Sequence, residues 1–141
     1  MKFLISTINS FRLGIDINNI LEVVIPGINS SESPEKILHE KSMVYQDNKI
    51  TIINTAEMLF NIPPEISNNY RIILCEVKGE IIGLMVDNAD EIVRLPGENR
   101  LSTEKYTSDL KPDFVEGKYI EDEKEIYIIA LQRIVSAVKA L

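Results

Sequence analysis

The sequence predicts a mainly β protein, built as two small matched barrels around one shared core. Three observations carry this prediction. Apolar segments are short, rich in Ile and Val, and cut by turn residues, a pattern of many strands and few helices. A loose internal repeat runs along the chain. One longer helical stripe, Leu131, Ile134, Val135, Val138 and Leu141, stands at the C-terminal end and is expected to dock against sheets.

Lys2 to Ile8 reads as a strand that Asn9-Ser10 turns into a second, Phe11 to Ile15. Asp16 starts a helical turn in which Ile17, Ile20 and Leu21 share a face. Glu22 to Ile25 is strand again, stopped by Pro26-Gly27. The polar stretch 27 to 42 reads as a loop with one helical turn, begun by Ser33-Pro34, a capping hydroxyl followed by a proline at the first helical position.

Met43 to Tyr45 and Ile50 to Ile53 flank Asp47-Asn48, a pair that tolerates the positive φ of a tight hairpin turn. Asn54 caps the next helix, with Glu57 three residues on to complete a capping box, and Ile62-Pro63-Pro64 ends it. Arg71 to Val77 and Ile81 to Val86 form the clearest hairpin, joined at Lys78-Gly79. Both arms are apolar on both faces, which places them at the centre of the core. Glu91 to Leu95 is a short strand ended by Pro96-Gly97, residues 98 to 113 are a polar connection, and Tyr119-Ile120 and Ile126 to Ile129 flank the acidic turn Glu121 to Glu125.

The repeat is visible in pairs. Ile50-Thr51-Ile52-Ile53 through Leu59 has the apolar pattern of Ile126-Tyr127-Ile128-Ile129 through Val135, and Glu22-Val23-Val24-Ile25-Pro26 is echoed by Glu91-Ile92-Val93-Arg94-Leu95-Pro96. The order hairpin, helical turn, Glu-strand-Pro, hairpin, helix thus occurs twice, at a spacing of roughly 70 residues. A half of that size buries little alone, so two halves packed together share one core.

Composition narrows the function. Lys and Arg number 15 against 22 Asp and Glu, a net charge of −7, so phosphate backbones and anionic headgroups are repelled; neither nucleic acid nor direct membrane contact is expected. One cysteine, Cys75, excludes an internal disulfide framework, fits a reducing compartment, and lies in an apolar strand where packing outweighs nucleophilicity. No apolar run approaches a membrane helix and Phe3-Leu4-Ile5 is too short for a signal peptide, so a cytoplasmic protein is expected. His39 is a lone histidine in a polar segment. Asp87, Asp90 and Glu91 are the tightest acidic group, and a solvated turn with a capping carboxylate explains them better than a cation site. No phosphate loop, nucleophile triad or paired catalytic carboxylates can be assembled. Neither catalysis nor a cofactor is expected.

Gly79-Glu80-Ile81-Ile82-Gly83-Leu84-Met85-Val86-Asp87 through Leu95-Pro96 resembles the central signature of CheW-like domains: a hairpin into Gly, apolar residues, Val-Asp, then a strand ended by Pro. Phe11-Arg12-Leu13-Gly14-Ile15-Asp16 through Glu22-Val23-Val24 is similar to the family's first strand and following Glu. Phe114-Val115-Glu116-Gly117-Lys118 resembles its late Gly-containing strand. The resemblance implies a single domain over 1–141 with two five-stranded SH3-like barrels, short helices and a C-terminal helix. The expected halves are 11–66 and 67–141, with strand 2–8 packed between them.

It also implies a chemotaxis scaffold that couples the cytoplasmic tips of chemoreceptors to a CheA-type histidine kinase. The kinase's regulatory domain would be bound through one barrel and the receptor near the groove between barrels. The alternatives are a CheW-like structural or regulatory subunit of a non-chemotactic complex and, more distantly, a small-ligand-binding barrel. One departure stands out: the family's Asn-Leu-Arg-Gly is replaced by Val44-Tyr45-Gln46-Asp47-Asn48, and the nearest cation, Lys49, lacks the fork with which a guanidinium grips a carboxylate such as Glu22. Candidate partner contacts are Glu22 and Val24 at a strand end, Gln46 and Asp47 in the altered hairpin, and Ile72 and Ile82 near the inter-barrel groove.

Overall fold

The computed structural model describes residues 1–8, 10–60, 69–95, 100–101, 111–121 and 123–139. Their strands are β1 (Lys2–Ile8), β2 (Phe11–Asp16), β3 (Ile20–Val24), β4 (Ser42–Tyr45), β5 (Asn48–Asn54), β6 (Arg71–Val77), β7 (Glu80–Val86), β8 (Asn88–Arg94), β9 (Arg100–Leu101), β10 (Val115–Glu121) and β11 (Lys124–Ile129). The helices are α1 (Pro34–Glu40), α2 (Thr55–Leu59) and α3 (Leu131–Lys139), with 3₁₀ turns at Ile17–Asn19 and Pro112–Phe114. The expected Pro63-Pro64 and Pro96-Gly97 stops, Asn9, Leu141 and most of the polar connection after residue 98 lie outside the described residues.

Local chemistry explains the boundaries. Ser33 Oγ accepts the Lys36 amide with Pro34 opening α1, and Lys41 ends it in the left-handed region at φ 54. Asn54 Oδ1 accepts the Glu57 amide at the start of α2. Lys78-Gly79, at φ 50 and 82, makes the two-residue turn between β6 and β7. Between β4 and β5 the positive φ values fall on Gln46 and Asp47, at 49 and 63. That hairpin turns one residue earlier than Asp47-Asn48, and the Asn48 amide group holds it by donating to the Gln46 carbonyl. Leu21 is also placed differently: it lies in β3, is 43% exposed, and shares no buried face with Ile17.

The strands form two sheets, one of six in the order β8-β1-β2-β11-β10-β9 and one of five in the order β3-β6-β7-β5-β4. β2–β11 and β5–β7 pair in parallel; the other pairs are antiparallel. Each sheet is therefore a central hairpin (β1–β2 or β6–β7) with a single strand on one side and a second hairpin on the other, to which the six-stranded sheet adds β9 at its far edge. The two repeats exchange these parts, so sheet membership cuts across the boundary expected near residue 66. β1 and β2 pair with strands of the second half, and β6 and β7 with strands of the first. β1 is an inner strand of the six-stranded sheet, with Leu4 and Ile8 in the central cluster and Phe3 and Ile5 on the other face. The free edge of β2 is held by β11, so the chain cannot continue as a meander; the 3₁₀ turn, capped by Asp16, carries it over to β6.

Each sheet is buried on both faces. Leu4, Leu13 and Ile15 meet Ile73, Cys75, Ile82 and Leu84 in a central cluster closed by Leu59 of α2 and Leu131, Ile134 and Val135 of α3. Beyond the five-stranded sheet, Val24, Ile37, Met43, Ile52, Ile72 and Leu74 fill one barrel; beyond the six-stranded sheet, Phe3, Ile5, Tyr119, Ile126 and Ile128 fill the other. At the matching parallel seams stand Gly14, opposite Ile128, and Gly83, opposite Ile52. A Cβ at either would fall within 3 Å of that isoleucine's Cδ1.

Candidate functional site

Among the described residues no three His, Cys, Asp or Glu side chains converge as for a metal. No helix there is long and apolar enough to cross a membrane. His39 is exposed on α1. Cys75 is buried, and loss of hydration pushes its thiol up to about 12, so it is held as an unreactive core group. Glu91, from the acidic group after β7, faces Arg12 Nη2 at 3.2 Å, which occupies it in an ion pair.

The six candidate contacts separate into two sets. Glu22 is exposed on β3, a free edge of the five-stranded sheet, and Gln46 and Asp47 are exposed at the tip of β4–β5, on the opposite edge strand. Val24, Ile72 and Ile82 are interior: 3%, 0% and 5% exposed. Val24 and Ile72 are cross-strand partners in the barrel core, and Ile82 packs into the central cluster from the other face of the sheet. Docking through those three is corrected to packing, because a strand buried on both faces leaves no side chain over for a partner.

The repeat explains why Glu22 stands alone. Its counterpart Glu91 is met by Arg12, reaching across β1 from β2. The residue of β7 equivalent to Arg12, roughly 70 positions on, is Ile81, and among the described residues neither Glu22 nor Lys49 forms an ion pair. Among the described residues Glu22 thus presents a carboxylate without an ion-pair partner on a sheet edge, beside exposed Leu21.

Two features escaped the sequence reading. Lys118, 9% exposed in its side chain, places Nζ 3.1 Å from Glu125 Oε1, and the Tyr127 hydroxyl donates to Glu125 Oε2. The Tyr127 and Lys118 hydrogen bonds hold the Glu125 carboxyl below the usual carboxylate range. A Lys three residues from an acidic turn gives no sign of being buried until the β10–β11 register is known. The second is a groove of about 350 Å³ along β5, α2 and the end of α3, with Ile53, Met58 and Val138 on its apolar wall and Lys41 and Glu57 on its polar one. It lies where the five-stranded sheet meets the C-terminal helix, and it offers shape and apolar area without chemistry.

Comparison with known proteins adds the family. A family model described as CheW-like domain matches residues 2–139. The fold is similar to the crystal structure of the scaffolding protein TtCheW from Thermoanaerobacter tengcongensis, with a TM-score of 0.73 and 26% sequence identity, covering 92% of this chain and 84% of that one. No curated protein matches the sequence.

Proposed function

This chain belongs to the CheW-like domain family, and from that premise we propose that it is a chemotaxis scaffold, coupling chemoreceptors to a CheA-type histidine kinase by protein–protein binding. The observation that carries this reading is the family match across nearly the whole chain, supported by a fold shared with a protein described as a scaffold. A scaffold needs rigid, accessible edges, and the double-faced cores supply the rigidity. The reading is of a non-catalytic protein acting in the cytoplasm, where the receptor tips and the kinase would be found.

In this proposal the kinase regulatory domain and the receptor tip are the partners, and the β3 edge with Glu22 and the β4–β5 tip with Gln46 and Asp47 take part in docking. An exposed carboxylate steers a cationic partner and sets register more than it sets affinity. Glu22→Lys is therefore expected to weaken capture of the kinase regulatory domain by about tenfold, roughly 1.4 kcal/mol, without changing the circular dichroism spectrum or the melting temperature. Titration calorimetry of wild type and variant measures it. Unchanged affinity removes Glu22 from the interface. Failure of the wild-type chain to bind either kinase or receptor overturns the chemotactic reading and favours a CheW-like subunit of another complex.

A further inference from the structure

Side chains of one short segment, residues 25–33, hydrogen-bond a backbone group on each edge strand of the five-stranded sheet, Val23 on β3 and Val44 on β4. Asn29 imitates a strand along β3: its Oδ1 accepts the Ile25 amide and its Nδ2 donates to the Val23 carbonyl at 3.1 Å. Glu32 does the same for β4, its Oε2 accepting the Val44 amide at 2.9 Å. The segment is internally tied by Gly27 N to Glu32 O, Asn29 N to Ile25 O and the Pro26–Ser30 bridge. Glu32 is further fixed by Lys36, 3.4 Å from its Oε1, and its side chain is 11% exposed.

The edge strands β8 and β4 are protected by different means. β8, the long edge of the six-stranded sheet, carries Glu91 and Arg94 in its own sequence. β4 reads Ser42-Met43-Val44-Tyr45, with no charge, and Val44 is 57% exposed. An uncharged apolar edge with free amides is a template for pairing with another strand. What blocks it here is the carboxylate of Glu32.

We propose that residues 25–33 are a strap that keeps the five-stranded sheet closed to strand addition, with Glu32 as its latch, and that the surface beneath it is a self-association edge for a second copy of this chain. The occupant follows from the geometry. β4 is short and uncharged, so two copies related by a twofold axis can lie antiparallel, edge to edge, with no like charges opposed, and join two five-stranded sheets into one. This inference is independent of the chemotactic reading.

The test is the mass of the full-length chain in solution by light scattering, together with amide exchange at Val44. Glu32→Ala is expected to double the mass relative to wild type and, in dilute monomeric solution, to speed Val44 exchange by about tenfold. Glu32→Gln keeps an accepting oxygen and the wild-type mass. Adding Val44→Lys to Glu32→Ala restores that mass by placing a charge on the edge. A folded Glu32→Ala protein of wild-type mass overturns the proposal. If Glu32→Ala does not fold, the wild-type chain decides: a Val44 amide exchanging about tenfold or more slower than an unstructured one supports the latch, and one exchanging at the unstructured rate refutes it.

Discussion

Gly83→Ala adds one methyl group at the most crowded point of the fold. Its Cβ would stand 2.4 Å from Ile52 Cδ1 and 2.9 Å from Ile72 Cγ2. The first atom ends a side chain and can swing away; the second is bonded to a β-carbon and moves only by turning the stiff χ1 of a β-branched residue or by shifting the backbone of β6. Overpacking of this kind costs about 1–3 kcal/mol, offset by roughly 0.5–1 kcal/mol because alanine loses less chain entropy than glycine in a strand. Mid-range values leave a net loss of about 1 kcal/mol. Gly14 provides the control: its Cβ would meet Ile128 Cδ1 at 2.7 Å, with the next atom, Ile126 Cγ2, at 3.4 Å, so only a movable group must yield. Gly14→Ala should cost less, about 0–1 kcal/mol. Urea unfolding followed by circular dichroism, with the slope m unchanged, measures both, and the melting temperature of Gly83→Ala should fall by a few degrees. Ile52→Val trims Cδ1 and should relieve part of the loss in the double variant, a coupling that additive sites do not show. Gly14→Ala as the more damaging change, or a Gly83→Ala protein as stable as wild type, would refute the close-approach argument.

The remaining predictions concern titration and capping. Burial pushes the Cys75 thiol from 9.0 up to about 12, and burial first, then Glu35, pushes the Tyr70 hydroxyl from 10.0 to about 12 while it donates to the Pro34 carbonyl. Both groups hold their protons longer folded than unfolded. Each contribution is present below the group's unfolded pKa and is lost as pH rises through it towards 12, the thiol's at up to about 1.4 kcal/mol per pH unit and the hydroxyl's at less. Urea midpoints at pH 8, 9 and 10 should therefore decline, and a flat profile contradicts the burial. Asn54→Ala removes the acceptor for the Glu57 amide and should cost about 1 kcal/mol, read as a lower urea midpoint; no change means the cap is idle.

Local chemistry was legible wherever it is carried by adjacent residues. Ser33-Pro34, Asn54 and Lys78-Gly79 act through their own backbone preferences and appear where those preferences put them. The β4–β5 turn slipped by one because Asp47 and Asn48 tolerate positive φ equally, and Gln46 gives no local sign that it will adopt it. The repeat was readable, but the exchange of hairpins was not: which strand takes the free edge of β2 depends on residues over 100 positions away. The same ambiguity misplaced Val24, Ile72 and Ile82. A strand apolar on both faces shows that it is buried without showing what lies over each face. Glu22 was recognisable as a surface carboxylate from its position before an apolar run, yet its isolation depends on Ile81, a long way along the chain.

The exchanged hairpins dictate an order of assembly as the chain leaves the ribosome. Every strand of the five-stranded sheet lies between residues 20 and 86, so that sheet has all its parts once the seventh strand has emerged. The β1–β2 hairpin precedes that sheet in the chain but waits for both its flanks, at 88–94 and 124–129, which follow it. Strands 2–8 and 11–16 thus become the middle of the sheet that is completed last, and a chain lacking 124–129 leaves the apolar edge of β2 without its partner.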